Sequence, residues 1–432
     1  MRRFTLPALG LYAAILVIAI IRINPSLVGG ARPERSTTPL ATFGSAPFRA
    51  RIPASVGEPS FIYRGGNART GFDPSAATPR PLSLVWQYGP LNRGIHAAAK
   101  SSPAVDDTGV YVGADTGDFY ALDLHGALRW SFHVDNAPQG IHATAALDRE
   151  LAYFGDYKGR LFALRKDTGD LAWANQLGET IGSSAALDAT SVYVSVERNH
   201  PFDGFVARLD RRTGRVIWFS DWLGDQSHAS PTLDATSLYV GANNGILRAL
   251  AIDSGRERWR TTLDGAIKST AVLVGARIFI TTTHGSLYAV DTATGQVAWR
   301  ATLSGTAKGS ASYVPADGAT PALLVVGSNA GTAKHAAFGQ VQAIRIADGS
   351  IAWTADTDLG DMRASPTVVR GPAGYVAWTA CGERAICAFS AASGAVLDRV
   401  ALPATFTGTP TFHRDRMYIT LFDGGLLAFG AQ

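Results

Sequence analysis

The chain has 432 residues, of which 17% are charged, and a formal net charge of +4. So few charges argue against long solvated helices and against a disordered acidic or basic tail, and the mild excess of +4 does not mark a nucleic-acid or membrane surface. The 46 glycines and 21 prolines point to a fold rich in turns, while two cysteines, Cys381 and Cys387, leave the redox compartment open by count alone.

In chain order, Arg2 and Arg3 precede an uncharged run that lasts to Arg22. That run is about as long as a minimal membrane-spanning helix. Residues 1–30 therefore read as a signal anchor with the arginine pair on the cytoplasmic side. The small pair Gly30-Ala31 keeps a cleaved signal peptide as the alternative. No cysteine follows the run, so a lipoprotein anchor is not expected. Residues 31–58, rich in Pro, Ser and Arg and without periodicity, read as a flexible linker.

From residue 59 to 432 one phrase recurs. Trp86, Trp130, Trp173, Trp218, Trp259, Trp299 and Trp353 are spaced by 44, 43, 45, 41, 40 and 54 residues, and from Trp130 onward each follows a glycine four positions upstream. Gly394 marks a further copy with Asp398 at the tryptophan position, and a last copy stops at the chain end before its tryptophan. Within a copy, a small-residue run such as SSPAV leads to LYVG, a glycine turn, LYALD, a Thr-Gly turn and the tryptophan segment. Alternation with period two and turn residues every eight to twelve positions predict four short antiparallel strands per copy. A four-stranded unit of this length is a propeller blade. PLSLVW, with Trp86 but no blade before it, supplies the strand that the last copy lacks, which predicts an all-β, eight-bladed β-propeller with both ends of the chain in one blade. Asp106, Asp148, Asp188 and Asp234, each just before a first hairpin turn, read as turn residues.

The phrases ALRKDTGDLAW, ALAIDSGRERW and AVDTATGQVAW resemble the tryptophan-docking repeat of the pyrroloquinoline quinone (PQQ) propeller family, and FIYRGGNARTGFDPS is similar to that family's N-terminal lead-in. The resemblance implies that each tryptophan stacks on the neighbouring blade. It also implies one of two functional classes. One is the quinoprotein dehydrogenases, with PQQ and calcium; the other is non-catalytic, including the propeller subunit of the outer-membrane β-barrel assembly machinery. This chain departs from the alcohol dehydrogenases: its cysteines are six apart rather than vicinal, and it has no C-x-x-C-H haem motif.

Aligned on the inner strand, the copies read KSSPAV, HATAAL, GSSAAL, HASPTL, KSTAVL, KGSASY, RASPTV and TGTPTF. The first column holds Lys100, His142, His228, Lys268, Lys308 and Arg363 and no acid, which predicts a basic channel mouth that takes an anionic ligand. The second column is small throughout, as eight strands crowding an axis require. The longest hairpins and connections on the same face bring Arg198, His200, Trp222, Lys334 and His335, a candidate partner-binding surface with Trp222 exposed. Cys381 and Cys387 flank a short turn and are expected to form a disulfide in an exported protein. No histidine spacing suits a metal, and no nucleophile elbow stands in a strand-to-helix context.

The expectation is a non-catalytic periplasmic propeller, monomeric, tied to the bacterial inner membrane by its N-terminal segment. It would bind envelope proteins or an acidic ligand, with no metal, no catalytic residue and no nucleic-acid partner. The alternative is a PQQ-binding quinoprotein, a dehydrogenase or a sensor.

Overall fold

The computed structural model describes residues 48–49, 56–78, 82–89, 91, 101–135, 137, 139–330, 338–358 and 362–431. The apolar N-terminal run, Lys100, Lys334 and His335 lie outside them. Among the described residues every regular element is a strand, and no helix is long and apolar enough to cross a membrane.

Eight sheets form eight blades in chain order, antiparallel within each blade, with the lead-in strand Phe72–Ala77 added in parallel to the inner edge of blade 7. Blade 1 shows the pattern: Ala104–Asp106 is innermost, then Gly109–Gly113, Asp118–Leu122 and Leu128–His133. The second strand is buried throughout and the outer strand alternates, because only the outer strand has a solvated face. The ring closes as the repeat count requires. Blade 8 contains Thr411–His413, Arg416–Thr420 and Leu426–Gly430, and its outer strand is Ser83–Tyr88 from the start of the domain.

Blade stacking rests on the tryptophans. In blades 1, 2, 4, 5 and 6 and in blade 8 the indole sits opposite an alanine of the third strand, as in Ala121↔Trp130 and Ala163↔Trp173, and a bulge follows. The small partner leaves room for the ring, and the bulge turns it toward the next blade. Each indole N–H then donates to a carbonyl in the next blade's third turn: Trp130 to Lys166, Trp173 to Arg211, Trp259 to Thr292, Trp353 to Ala391. Trp86 does the same to Leu124 of blade 1 at 3.0 Å, across the closure. Between blades 7 and 8, where Asp398 replaces the tryptophan, Trp378 packs on Phe412 and donates to Thr78 Oγ1 at 3.0 Å.

From residue 59 onward the lead-in segment is built into the propeller. Residues 59–78 cross one end of the channel and bond to the inner edge of every blade. Ser60 reaches Asp106 of blade 1, and Pro59 and Phe61 pair with Asp148 and Leu147 of blade 2. The carbonyls of Asn67, Ala68, Thr70 and Gly71 accept in turn from Leu233, Leu273, Tyr313 and Val368 of blades 4 to 7. The Asn67 side chain bonds Leu187 of blade 3, and Tyr63 meets Thr409 of blade 8 at 2.9 Å. Buried Arg69 donates to the carbonyls of Tyr63, Ser184, Ala185 and Pro231. Inner strands carry unpaired backbone groups along the axis, and buried groups of that kind need partners. The lead-in supplies them and forms a floor.

Candidate functional site

The lead-in therefore lies across the ends of the inner strands, and the described residues of the first column lie at their starts. The waist of the channel is narrow. Ser101, Ala143, Ser183, Ala229, Ser269 and Ala364 are buried. Just below them runs a belt of hydroxyls, each accepting a backbone N–H from the preceding blade. Ser102 donates to Thr144, Thr144 to Ser184, Ser184 to Ser230, Ser230 to Thr270, Thr270 to Ser310, and Ser310 to Ser365. Thr409 of blade 8 donates back to Ser102. Every inner strand has Ser or Thr at this place, and side chain rather than backbone satisfies the amide because neighbouring blades splay apart.

At the mouth, His142 and His228 do not stand alone. His142 Nε2 lies 3.1 Å from Asp115 Oδ1, and its ring centroid is 4.0 Å from that of Tyr157. His228 Nδ1 lies 2.9 Å from Glu197 Oε1. The carboxyl side chains of Asp115 and Glu197 are each only 3% exposed. Burial holds the Lys268 ammonium below its ordinary range, against the pull of Glu197 and Asp225. Burial likewise pushes the Tyr157 phenol up, and the charges of Glu197 and Asp115 push it further. Lys308 and Arg363 are exposed on the later blades.

The first column is free of acid, as read, yet the mouth is not uniformly basic. Its carboxylates come from the second-strand hairpins and fold inward onto the column. The signal was present two residues past a small residue in the second strands of blades 1 to 3, in GAD, GDY and SVE, where Asp115, Tyr157 and Glu197 recur in register. Chemically the mouth offers histidine–carboxylate pairs on blades 1 to 4 and cations on blades 5 to 7.

Beside the mouth, the blade 3 hairpin pairs Ser191–Asn199 with Phe202–Asp210 over nine positions. Arg198 Nε donates to His200 O at 3.1 Å, and its guanidinium lies 5.9 Å over Trp222. Trp222 is half-buried rather than exposed: it meets Phe205 edge-on at 5.4 Å and joins the blade 2–3 core. The exposed aromatic is instead Phe202, 63% accessible and stacked with His200. Arg198, His200 and Trp222 thus share one patch. Cys381 and Cys387 are bridged across the blade 7 hairpin and buried.

Comparison with known proteins places this geometry. The profile of the family described as outer membrane protein assembly factor BamB matches residues 76–199, 203–333 and 337–432. BamB of Yersinia pestis is 26% identical over 129 residues, a match spanning 28% of this chain and 33% of that protein. The crystal structure of BamB from Moraxella catarrhalis superposes with a TM-score of 0.62 at 18% identity, covering 81% of this chain and 99% of that one. The quinohemoprotein alcohol dehydrogenase of Comamonas testosteroni superposes with a TM-score of 0.69 at 15% identity, covering 84% and 79%. At such identities the two structures speak for the fold alone, whereas the profile runs through nearly every blade, and on it the chain belongs to the BamB family of PQQ-like β-propellers.

Proposed function

We propose that this protein is a non-catalytic scaffold that holds partner proteins of the bacterial envelope in outer-membrane protein assembly. The observation that carries this reading is the family match across residues 76–432. The docking face is the mouth side, where the blade 3 hairpin lifts Phe202, His200 and Arg198 beside the histidine–carboxylate pairs; aromatic and arginine side chains of this kind anchor protein interfaces. Lys268, Lys308 and Arg363 give this face its affinity for acidic segments of the partner. The propeller works in the periplasm, and residues 1–30 tie it to the inner membrane.

A photoreactive residue placed at Phe202 is expected to cross-link to outer-membrane assembly proteins in intact cells, and one placed at Leu397, on an outer strand, is not. Equal labelling from both positions, or none from Phe202, would overturn the reading.

The second reading, a PQQ-binding quinoprotein, fails because the residues at the mouth do not suit that group. Its carboxylates would lie against Asp115 and Glu197, which already occupy His142 and His228. The bridged cysteines are six residues apart rather than vicinal.

A further inference from the structure

The floor is unevenly built, and its gap coincides with a cavity. In blades 2 to 7 the lead-in takes the main-chain edge of the inner strand. Pro59–Phe61 adds antiparallel to blade 2, and Phe72–Ala77 adds in parallel to blade 7. Between them, the Asn67 side chain bonds both main-chain groups of Leu187 in blade 3, and the carbonyls of Asn67, Ala68 and Thr70 accept from Leu233, Leu273 and Tyr313 in blades 4 to 6. Blades 8 and 1 complete the ring between those two added strands. Among the described residues, no lead-in main chain bonds to their inner strands. Ser60 and Tyr63 reach them side chain to side chain, and Ala77 N–H meets the turn carbonyl of Arg414.

The register says which groups are left over. In blade 4, Asp234 N–H donates to Ser237 O of the second strand, so the amide one residue earlier, on Leu233, turns the other way and meets the lead-in. Val105 of blade 1 and Phe412 of blade 8 hold the same place. They stand opposite Val110 and Met417, one step before a two-residue hairpin, as Leu233 stands opposite Leu238. Their N–H and C=O groups therefore face away from the second strand. Among the described residues these groups have no hydrogen-bond partner, and buried main-chain groups need one. Both residues are buried, and both line a cavity of about 400 Å³. Its wall includes the whole blade 8 run from Pro410 to His413, together with Phe61 and Phe72 of the two added strands. That volume is ordinary for a ligand site.

We propose that this gap binds a short extended segment of a partner polypeptide, which adds to the inner edge of blade 8 beside Val105 and completes the row of bonds that the lead-in makes elsewhere. Its carbonyls accept from the N–H groups of Phe412 and Val105, and its N–H groups donate to their carbonyls. An aromatic or aliphatic side chain lies against Phe61, Phe72 and Phe412. The occupant is a peptide because main chain, or the Asn67 amide that mimics it, fills the corresponding position in blades 2 to 7. Strand addition of this kind draws affinity from main-chain bonds and specificity from side-chain pockets. The site lies at the ends of the inner strands and the mouth residues at their starts, so it is independent of partner docking at the mouth.

The test is calorimetric titration of the full chain with acetyl-Val-Phe-Val-amide, an uncharged peptide, and with the same peptide N-methylated at each residue. Methylation keeps the side chains but removes the N–H groups that strand addition uses. The parent peptide is expected to bind one to one, and the methylated one about tenfold more weakly or worse, the effect of one or two lost hydrogen bonds. Val105→Pro removes a donor that the sheet does not use, and it is expected to reduce binding by a similar factor. Ser75→Trp, a change at an exposed residue of the cavity wall, is expected to block binding with the strand edge intact, and it decides the matter if Val105→Pro does not fold. The double variant Lys268→Glu/Lys308→Glu at the mouth is expected to bind the peptide as the parent does. Absence of saturable binding, equal affinity for the two peptides, binding undiminished in a folded Val105→Pro or in Ser75→Trp, or loss of binding in the mouth variant would each overturn the proposal.

Discussion

Asp106 shows how one position in the repeat is adapted to a local task. In blades 2, 3 and 4 its counterparts Asp148, Asp188 and Asp234 cap the first turn with one oxygen and accept the tyrosine five residues on with the other, at 2.7, 2.5 and 2.6 Å. In blade 1 the tyrosine hydroxyl goes to Thr108 instead, and Asp106 turns its second oxygen to Ser60 of the lead-in and to buried Lys166 of blade 2. Burial alone would push this carboxyl up. Lys166, Ser60 and Thr108 outweigh burial and hold it below its ordinary 3.8. A carboxyl with a depressed folded pKa contributes stability above its unfolded pKa and loses it as pH falls through the folded value. Asp106→Asn should therefore cost about 3 kcal/mol at pH 7, because Lys166 is left buried without its anion. The gap between variant and parent should begin to narrow below about pH 4, the carboxyl's unfolded value, and close only as pH falls through the lower folded value, where the parent's own carboxylate is protonated. Urea titrations at neutral and acid pH check this; a gap independent of pH would refute it.

At the scale of the blade, glycine and tryptophan act as one unit. Gly214, in the third turn of blade 3, lies on the face of Trp173, where a Cβ would come within 2.5 Å of the ring, and its φ is +68°. Gly275 has a similar φ of +58° but nothing within 4 Å of the added Cβ. Gly275→Ala should thus cost about 1 kcal/mol, the conformational penalty alone. Gly214→Ala should cost about 1–3 kcal/mol more, because the indole must move from its carbonyl on Arg211. Thermal unfolding of the two variants separates the terms, and equal losses would show that the ring contact carries no stability. The repeat made both residues legible as a pair four positions apart, but not this contact, because each glycine meets the tryptophan of the preceding blade: Gly214 lies on Trp173, not on Trp218. The inner column was legible as residue type but not as chemistry. His142 and Asp115 are 27 residues apart and in different blades, and no pattern within one copy states that they meet.

For the molecule as a whole, the closing strand and the floor decide integrity. Ser83–Tyr88 covers the edge of Leu426–Gly430 and brings Trp86 to blade 1. Deleting it should leave an open sheet edge, which invites pairing with another chain. Size-exclusion chromatography should then show concentration-dependent association, and urea unfolding should lose its single sharp transition. A monomer with a sharp transition would mean that closure is dispensable. By itself the sequence determined the blade count, the strand order and the closure, because period, turn chemistry and tryptophan spacing are local signals repeated many times. The tertiary structure alone decided two things. The lead-in carries no strand periodicity, and it becomes a floor only where eight converging inner strands present their unpaired groups. The mouth became a mixed field rather than a basic ring because carboxylates on other strands fold against its histidines, an encounter set by the geometry of the ring.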